Sequence, residues 1–169
     1  IVNIEKDKYV YMINRPMKKF LAYFIPVLLC FGVGISASLA QADSIVNWYP
    51  FLNKPALTPP NFVFPVAWSI LYICMGISIG HIILLHTPAK WSFIKIFIIQ
   101  LLLNFTWSIV FFFLQNPLLG FINIIALLFF IVFYAVRTYP VSKLSSLLFI
   151  PYILWLSLIH ISEPTRRYA

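Results

Sequence analysis

Acidic side chains are nearly missing from this chain of 169 residues. It has four, Glu5, Asp7, Asp43 and Glu163, and none lies inside an apolar run. That scarcity excludes whole classes of function. Proton-relay pumps, carboxylate-ligated metal centres and paired-carboxylate hydrolases need acids where this chain has none. Ion-coupled transport loses its usual intramembrane carboxylate for the same reason. Cysteine is as scarce. Cys30 and Cys74 lie in separate apolar runs, with no spacing that suggests a disulfide framework or a metal site, so they read as small packing residues. His81 and His86 are five apart and share a helix face poorly, whereas a metal pair prefers i, i+4 and a further ligand. His81 reads instead as a headgroup-level residue hydrogen-bonded to a neighbour. No Ser/His/Asp or Cys/His constellation and no nucleotide-binding glycine loop is present.

What the chain has in excess is apolar surface. Apolar residues make up 62% of it and charged residues 9%, against roughly 25% charged in an average globular protein. Five runs approach the length of about 20 helical residues needed to cross a bilayer's hydrocarbon core. They are residues 20–40, 62–85, 93–114, 118–138 and 144–161. A backbone in lipid must satisfy its own hydrogen bonds, so the expected fold is all-α, a polytopic bundle of five transmembrane helices. The sustained period-2 alternation of an outer-membrane barrel is absent. Lys18-Lys19 before the first run resembles a signal peptide's n-region. The run is too long for an ordinary h-region, so it is read as a retained helix, with cleavage after Ala40 or Ala42 as the alternative.

The formal charge of +8 does not point to nucleic acid, because the basic residues flank apolar runs. Lys6, Lys8, Arg15, Lys18, Lys19, Lys90, Lys95, Arg137 and Lys143 fall on one side of a five-helix topology. Lys54, Arg166 and Arg167 fall on the other. The positive-inside rule then places the N-terminus in the cytoplasm, with anionic lipids as contacts of the basic face. The ends look foreign to the domain. Residues 1–16 are polar and irregular and Met17 is a natural start, so they read as upstream read-through or disorder. Residues 156–169 resemble a translated sequencing adapter. The domain proper is expected over residues 17–155.

The connector from Trp48 to Trp68 carries five prolines, two tryptophans and one lysine. Each proline fixes φ, removes a donor and biases its predecessor toward extended backbone. A stiff, non-helical cover over the bundle mouth is one reading. A membrane-interface loop anchored by its aromatics is the other. Inside the runs, polar groups are few: Ser36, Ser38, Ser69, Ser78, Gln100, Asn104, Thr106, Ser108 and Asn123. A buried amide in lipid needs a partner, so Asn104 and Asn123 should face protein or a cavity. Asn104 and Ser108 share a helix face, with Trp107 beside them and Phe111 and Phe112 a turn further on. Ligand contact and inter-helix glue fit that spacing equally. Gly76 and Gly80 form a GxxxG, read as internal packing ahead of a dimer seam. Pro151 should kink the fifth helix beside Tyr152 and Trp155.

Several motifs recur in a fixed order. Trp48-Tyr49, Leu52-x-Lys54-Pro55 and Pro59-Pro60 come first, then Phe64-x-x-x-Trp68-x-x-Leu71-Tyr72-x-x-Met75-Gly76. After these come Gln100-Leu-x-Leu-Asn104-x-x-Trp107-Ser108-x-x-Phe111-Phe112, Pro117 and Pro151-Tyr152-x-x-Trp155. Over residues 17–155 the chain thus resembles the TspO/MBR family of tryptophan-rich sensory proteins, which includes the mitochondrial translocator protein (peripheral-type benzodiazepine receptor). The resemblance implies five helices, homodimers, and a pocket under the first loop for porphyrins, haem, sterols and benzodiazepine-type ligands. Matched by motif, the pocket would use Tyr49, Leu52 and Pro60 from the lid, Trp68 from the second helix, Asn104, Trp107 and Ser108 from the third, and Trp155 from the fifth. It implies a membrane receptor or sensor that binds tetrapyrroles as ligands, with or without transport, and requires no cofactor or metal. The alternative it implies is a light-dependent porphyrin-degrading enzyme with Trp68 and Trp155 as redox partners. A structural role in a larger membrane assembly is a further alternative. The family's sterol-recognition segment has no match at the end of the fifth run. A bacterial cytoplasmic membrane is the expected location.

Overall fold

The computed structural model describes the backbone of residues 3–51, 60 and 62–162, and the side chains of residues 16–51, 60 and 62–158. Helix α1 (Asn3–Asn47) leads into a 3₁₀ turn at Tyr49–Phe51. Then come α2 (Val63–Leu84), α3 (Lys90–Ser108) with a π turn at Ile109–Phe113, α4 (Pro117–Thr138), α5 (Lys143–Leu147) and α6 (Ile150–Ser162). Among the described residues there is no strand. Pro16–Asn47, Val63–Leu84, Lys90–Phe113 and Pro117–Thr138 are long and apolar enough to cross a bilayer, and a shorter apolar stretch, Lys143–Leu158, completes the set. The chain is an integral, multi-pass helical membrane protein.

Two boundaries differ from the sequence expectation. Helix α1 extends upstream through residues 3–16, where the polar sequence predicts irregular structure. The stiff cover expected from Trp48 to Trp68 is shorter than its proline content suggests. Helix α2 begins at Val63, as the run expected over residues 62–85 has it, so residues 63–68 of the connector are helical, and Tyr49–Phe51 are a 3₁₀ turn. Pro65 lies in the first turn of α2, where a missing N–H costs nothing because that donor has no helical partner. Leu52, Lys54, Pro55 and Pro59 lie outside the described residues.

Helix α1 packs chiefly on α2, and α3 on α4. Along α1 the buried positions are Pro26, Cys30, Ala37 and Ser44, a narrow seam of heptad type. The two glycines of α2 make the α1–α2 contact possible. A Cβ on Gly80 would lie 2.5 Å from the Ala22 carbonyl oxygen, and one on Gly76 would lie 2.5 Å from Val27 Cα. The obstacles are backbone atoms, so the GxxxG is an internal seam that lets two helix backbones meet. At the same end Tyr23 OH and His81 Nδ1 are 3.1 Å apart. His81 thus has the neighbour expected of it.

The fifth span is broken at residues 148–149 for a reason visible in the sequence. Pro151 cannot donate to Leu147, four residues earlier, and its ring would crowd that carbonyl. Helix α5 ends at Leu147. The turn is then closed by Phe149 N to Ser146 O at 3.0 Å and Tyr152 N to Phe149 O at 3.1 Å. Irregular backbone at membrane depth must find partners within the protein. Here serine hydroxyls fasten α5. Ser78 Oγ donates to Ser145 O at 2.7 Å, Ser145 Oγ donates back to Ser78 O at 3.1 Å, and Ser146 Oγ donates to Ala135 O at 2.7 Å.

If Gly80 and Gly76 set the α1–α2 distance, Gly80→Leu must push α1 off α2. The expected loss is about 1–3 kcal/mol, the usual cost of overpacking, read as a lower melting temperature in detergent. Gly32→Ala is the matched control, because nothing lies within 4 Å of a Cβ there. It should leave the melt unchanged or slightly raised.

Candidate functional site

A cavity of about 460 Å³ lies between α1, α2 and α3 at the end from which the Tyr49–Phe51 turn leaves. Helix α3 supplies Asn104, Trp107 and Ser108, and its π turn supplies Phe111 and Phe112. These five are the face read from the i, i+3, i+4 spacing. In the π turn Leu114 N reaches back to Ile109 O at 2.9 Å, and Gln115 adopts a left-handed backbone with φ of 49°. Asn116 then caps α4, its Oδ1 accepting from Leu119 N at 3.1 Å, with Pro117 in the first turn. The wide turn leaves carbonyls without helical partners. Ser44 of α1 donates to one of them, Phe112 O, at 2.7 Å. This contact and two ring pairs tie the end of α1 to the end of α3: Trp48 lies 5.6 Å from Phe111, and Tyr49 lies 5.6 Å from Phe112.

Trp68 is the ring on which the cavity wall converges. Its centroid is 5.7 Å from Tyr72 in a stacked pair, 5.9 Å from Tyr152 edge-on and 6.4 Å from Trp107. Trp107 in turn stacks on Phe111 at 5.6 Å. Offset and edge-on pairs of this kind add about 0.5–1.5 kcal/mol each beyond area burial. The wall is therefore stiff before any ligand arrives. Asn104 Nδ2 donates to Tyr152 OH, so the break in the fifth span is linked directly to the polar floor of the cavity. Asn123 is likewise partnered, Nδ2 donating to Thr106 Oγ1 at 2.9 Å. Gln100, one turn before Asn104, is fully buried, and among the described residues neither atom of its amide has a partner.

Of the residues expected at the site, Tyr49, Trp68, Asn104, Trp107 and Ser108 line this cavity. Pro60 is exposed and is not among the lining residues. Leu52 lies outside the described residues. Trp155 stands one layer back, its ring 5.6 Å from Phe64, and it is Phe64 that lines the cavity. Sequence reasoning missed the α1 wall, made by Phe31, Gly34, Ser38, Gln41 and Ile45 among others. Their spacing of three and four residues is a helix face, but it sits in a run that reads as generic membrane span. Gly34 is the informative member. A Cβ there would collide with the Tyr72 ring, so the glycine makes room for an aromatic that lines the cavity. Among the described residues, none that lines the cavity carries a charge.

The profile of the TspO/MBR family matches residues 26–162. The chain is 39% identical over 133 residues to the "Tryptophan-rich protein TspO" of Archaeoglobus fulgidus, covering 77% of this chain and 84% of that protein. It is 37% identical to the protein of the same name from Chlorobaculum tepidum, covering 83% and 90%. To "Protein CrtK" of Rhodobacter capsulatus it is 33% identical, covering 82% and 84%.

The Asn104–Tyr152 link makes a specific demand. Tyr152→Phe leaves a buried amide without its acceptor, at an expected cost of about 1–3 kcal/mol, seen as a lower melting temperature. Adding Asn104→Leu should recover part of that loss, the mark of coupled residues. Two additive losses would mean that the pair is not energetically linked.

Proposed function

The chain belongs to the TspO/MBR family of membrane proteins, and from that premise we propose that it is a receptor or sensor that binds a tetrapyrrole, a porphyrin or haem, in the cavity walled by Trp68 and Trp107. The observation that carries this reading is the wall itself. A flat macrocycle needs broad apolar faces and a few edge donors. Trp68, Tyr72, Trp107 and Phe111 offer the faces, and Asn104 and Ser108 offer polar groups. A volume of about 460 Å³ falls within the roughly 300–1,000 Å³ typical of small-molecule sites. Transport of the same ligand needs the same cavity and adds no residue to the argument.

In this reading the protein sits in a bacterial cytoplasmic membrane with its N-terminus inside, as a homodimer among lipids. Lys18, Lys19, Lys90, Lys95, Arg137 and Lys143 fall on one side of the span topology, and the positive-inside rule would put that side in the cytoplasm. The enzymatic alternative, photo-oxidation of porphyrin by tryptophan, has less support. Trp155, one of its two tryptophans, is separated from the cavity by Phe64.

The test is a titration with protoporphyrin IX in detergent, following tryptophan fluorescence, on the wild type and on Trp68→Phe. Saturable quenching is expected, weakened several-fold in the variant, as the loss of aromatic pairing worth about 1 kcal/mol would give. Quenching that does not saturate and is equal in both proteins means partitioning into detergent, and would remove porphyrin as the ligand.

A further inference from the structure

The α1–α2 pair changes character along its length. At one end the backbones meet at Gly80 with Ala22 and at Gly76 with Val27. Midway the gap is filled by the Tyr72 ring lying against Gly34. Beyond it, the end of α1 is fastened to α3 through Ser44, Trp48 and Tyr49. The two helices therefore diverge like a V, and the cavity lies in its open part. The arms of the V are Ile35 and Ser38 on α1 and Pro65 and Ser69 on α2, all four of them cavity-lining. Ile35 is 58% exposed, Ser38 and Pro65 are exposed, and Ser69 is half-buried.

The depth of this opening matters. Ser69 is six residues into α2, about 9 Å along the helix from its start, and Ser38 is about 14 Å from the end of α1. Both lie within spans apolar enough to cross the bilayer. The hydroxyls there are already satisfied by their own helices. Ser38 Oγ donates to Ile35 O and Ser69 Oγ donates to Pro65 O, each at 2.8 Å. An apolar molecule passing between them would strip water from no polar group. A hydroxyl bonded back to its own helix presents mainly carbon and hydrogen to a neighbour.

We infer that the cavity has a side portal between α1 and α2, bounded by Ile35, Ser38, Pro65 and Ser69, through which a bilayer-dissolved apolar ligand enters and leaves. The occupant in passage is a flat, largely apolar molecule taken from the bilayer, with any ionisable edge kept toward the headgroups. This rests on the ligand reading above, but the location of the opening can be tested without any ligand. Spin labels on Ser38→Cys and Ser69→Cys, in a Cys74→Ala background reconstituted in phosphatidylcholine vesicles, should relax with dissolved oxygen and be protected from a water-soluble nickel chelate. The reverse pattern would place the opening in water and overturn the portal.

Exchange kinetics supply the second arm. Protoporphyrin IX preloaded in phosphatidylcholine vesicles is mixed with reconstituted protein and followed by tryptophan quenching. Ser38→Trp and Ser69→Trp should slow association and dissociation together, by about tenfold for a modest added barrier. Ser36→Trp, on the opposite α1–α3 groove, should change neither rate. Wild-type rates in the two portal variants would overturn the proposal. So would faster dissociation alone, which would make the serines ordinary wall. Unsaturable quenching of the wild type would instead sink the tetrapyrrole reading, leaving the spin-label result to decide the portal by itself.

Discussion

The close meeting of α1 and α2 at Gly76 and Gly80 is the constraint on which the rest of the structure depends. In lipid there is no hydrophobic drive to press helices together, so association relies on packing and on polar contacts. Two glycines one turn apart allow backbone to touch backbone, and the small seam of α1 fits against them. Once that end is pinned, the direction of α1 is fixed by its far attachment, Ser44 to the Phe112 carbonyl. The space left between the two fastenings is the cavity. It is a product of where the helices are tied.

The second fastening depends on helix α3 ending badly. Any helix end leaves its last carbonyls without helical partners. The π turn at Ile109–Phe113 ends with one of them, Phe112 O, against Ser44 and with Phe111 and Phe112 against the tryptophans. The break in the fifth span plays a similar part. Pro151 prevents a continuous helix, and Tyr152 emerges just after the break to meet Asn104 and Trp68. Two departures from helical regularity thus supply contacts that shape one site. Local irregularity at membrane depth is tolerated where freed groups find partners inside the protein, as Phe112 O does with Ser44 and Ser145 O with Ser78.

Much of this was legible in the sequence. The five spans follow from run length, because hydrocarbon thickness leaves little choice. The Asn104, Trp107, Ser108, Phe111, Phe112 face follows from helical spacing, and the break near Pro151 follows from a missing donor. What was not legible has a physical reason as well. The α1 wall is built from ordinary apolar and small residues, whose meaning comes only from the ring placed opposite them. Gly34 reads as one more glycine in a membrane span until Tyr72 is seen against it. The π turn has no sequence signal beyond a run of phenylalanines. The layer between Trp155 and the cavity depends on how the fifth span packs against the start of α2, where Phe64 meets Trp155, and run lengths do not carry that.

The charge-free wall has a consequence for how a guest must lie. Ionised groups gathered on one edge of a flat molecule find no counter-charge among the described lining residues, and burying them unpaired is far costlier than ring contacts can offset. Such a molecule is held with its ionic edge toward water and its plain edge inward. Orientation would then come from exclusion, with no specific handle required. A guest without an ionic edge would have no preferred heading and could turn within the slot. The same wall would therefore hold amphipathic discs in one pose and fully apolar ones in several.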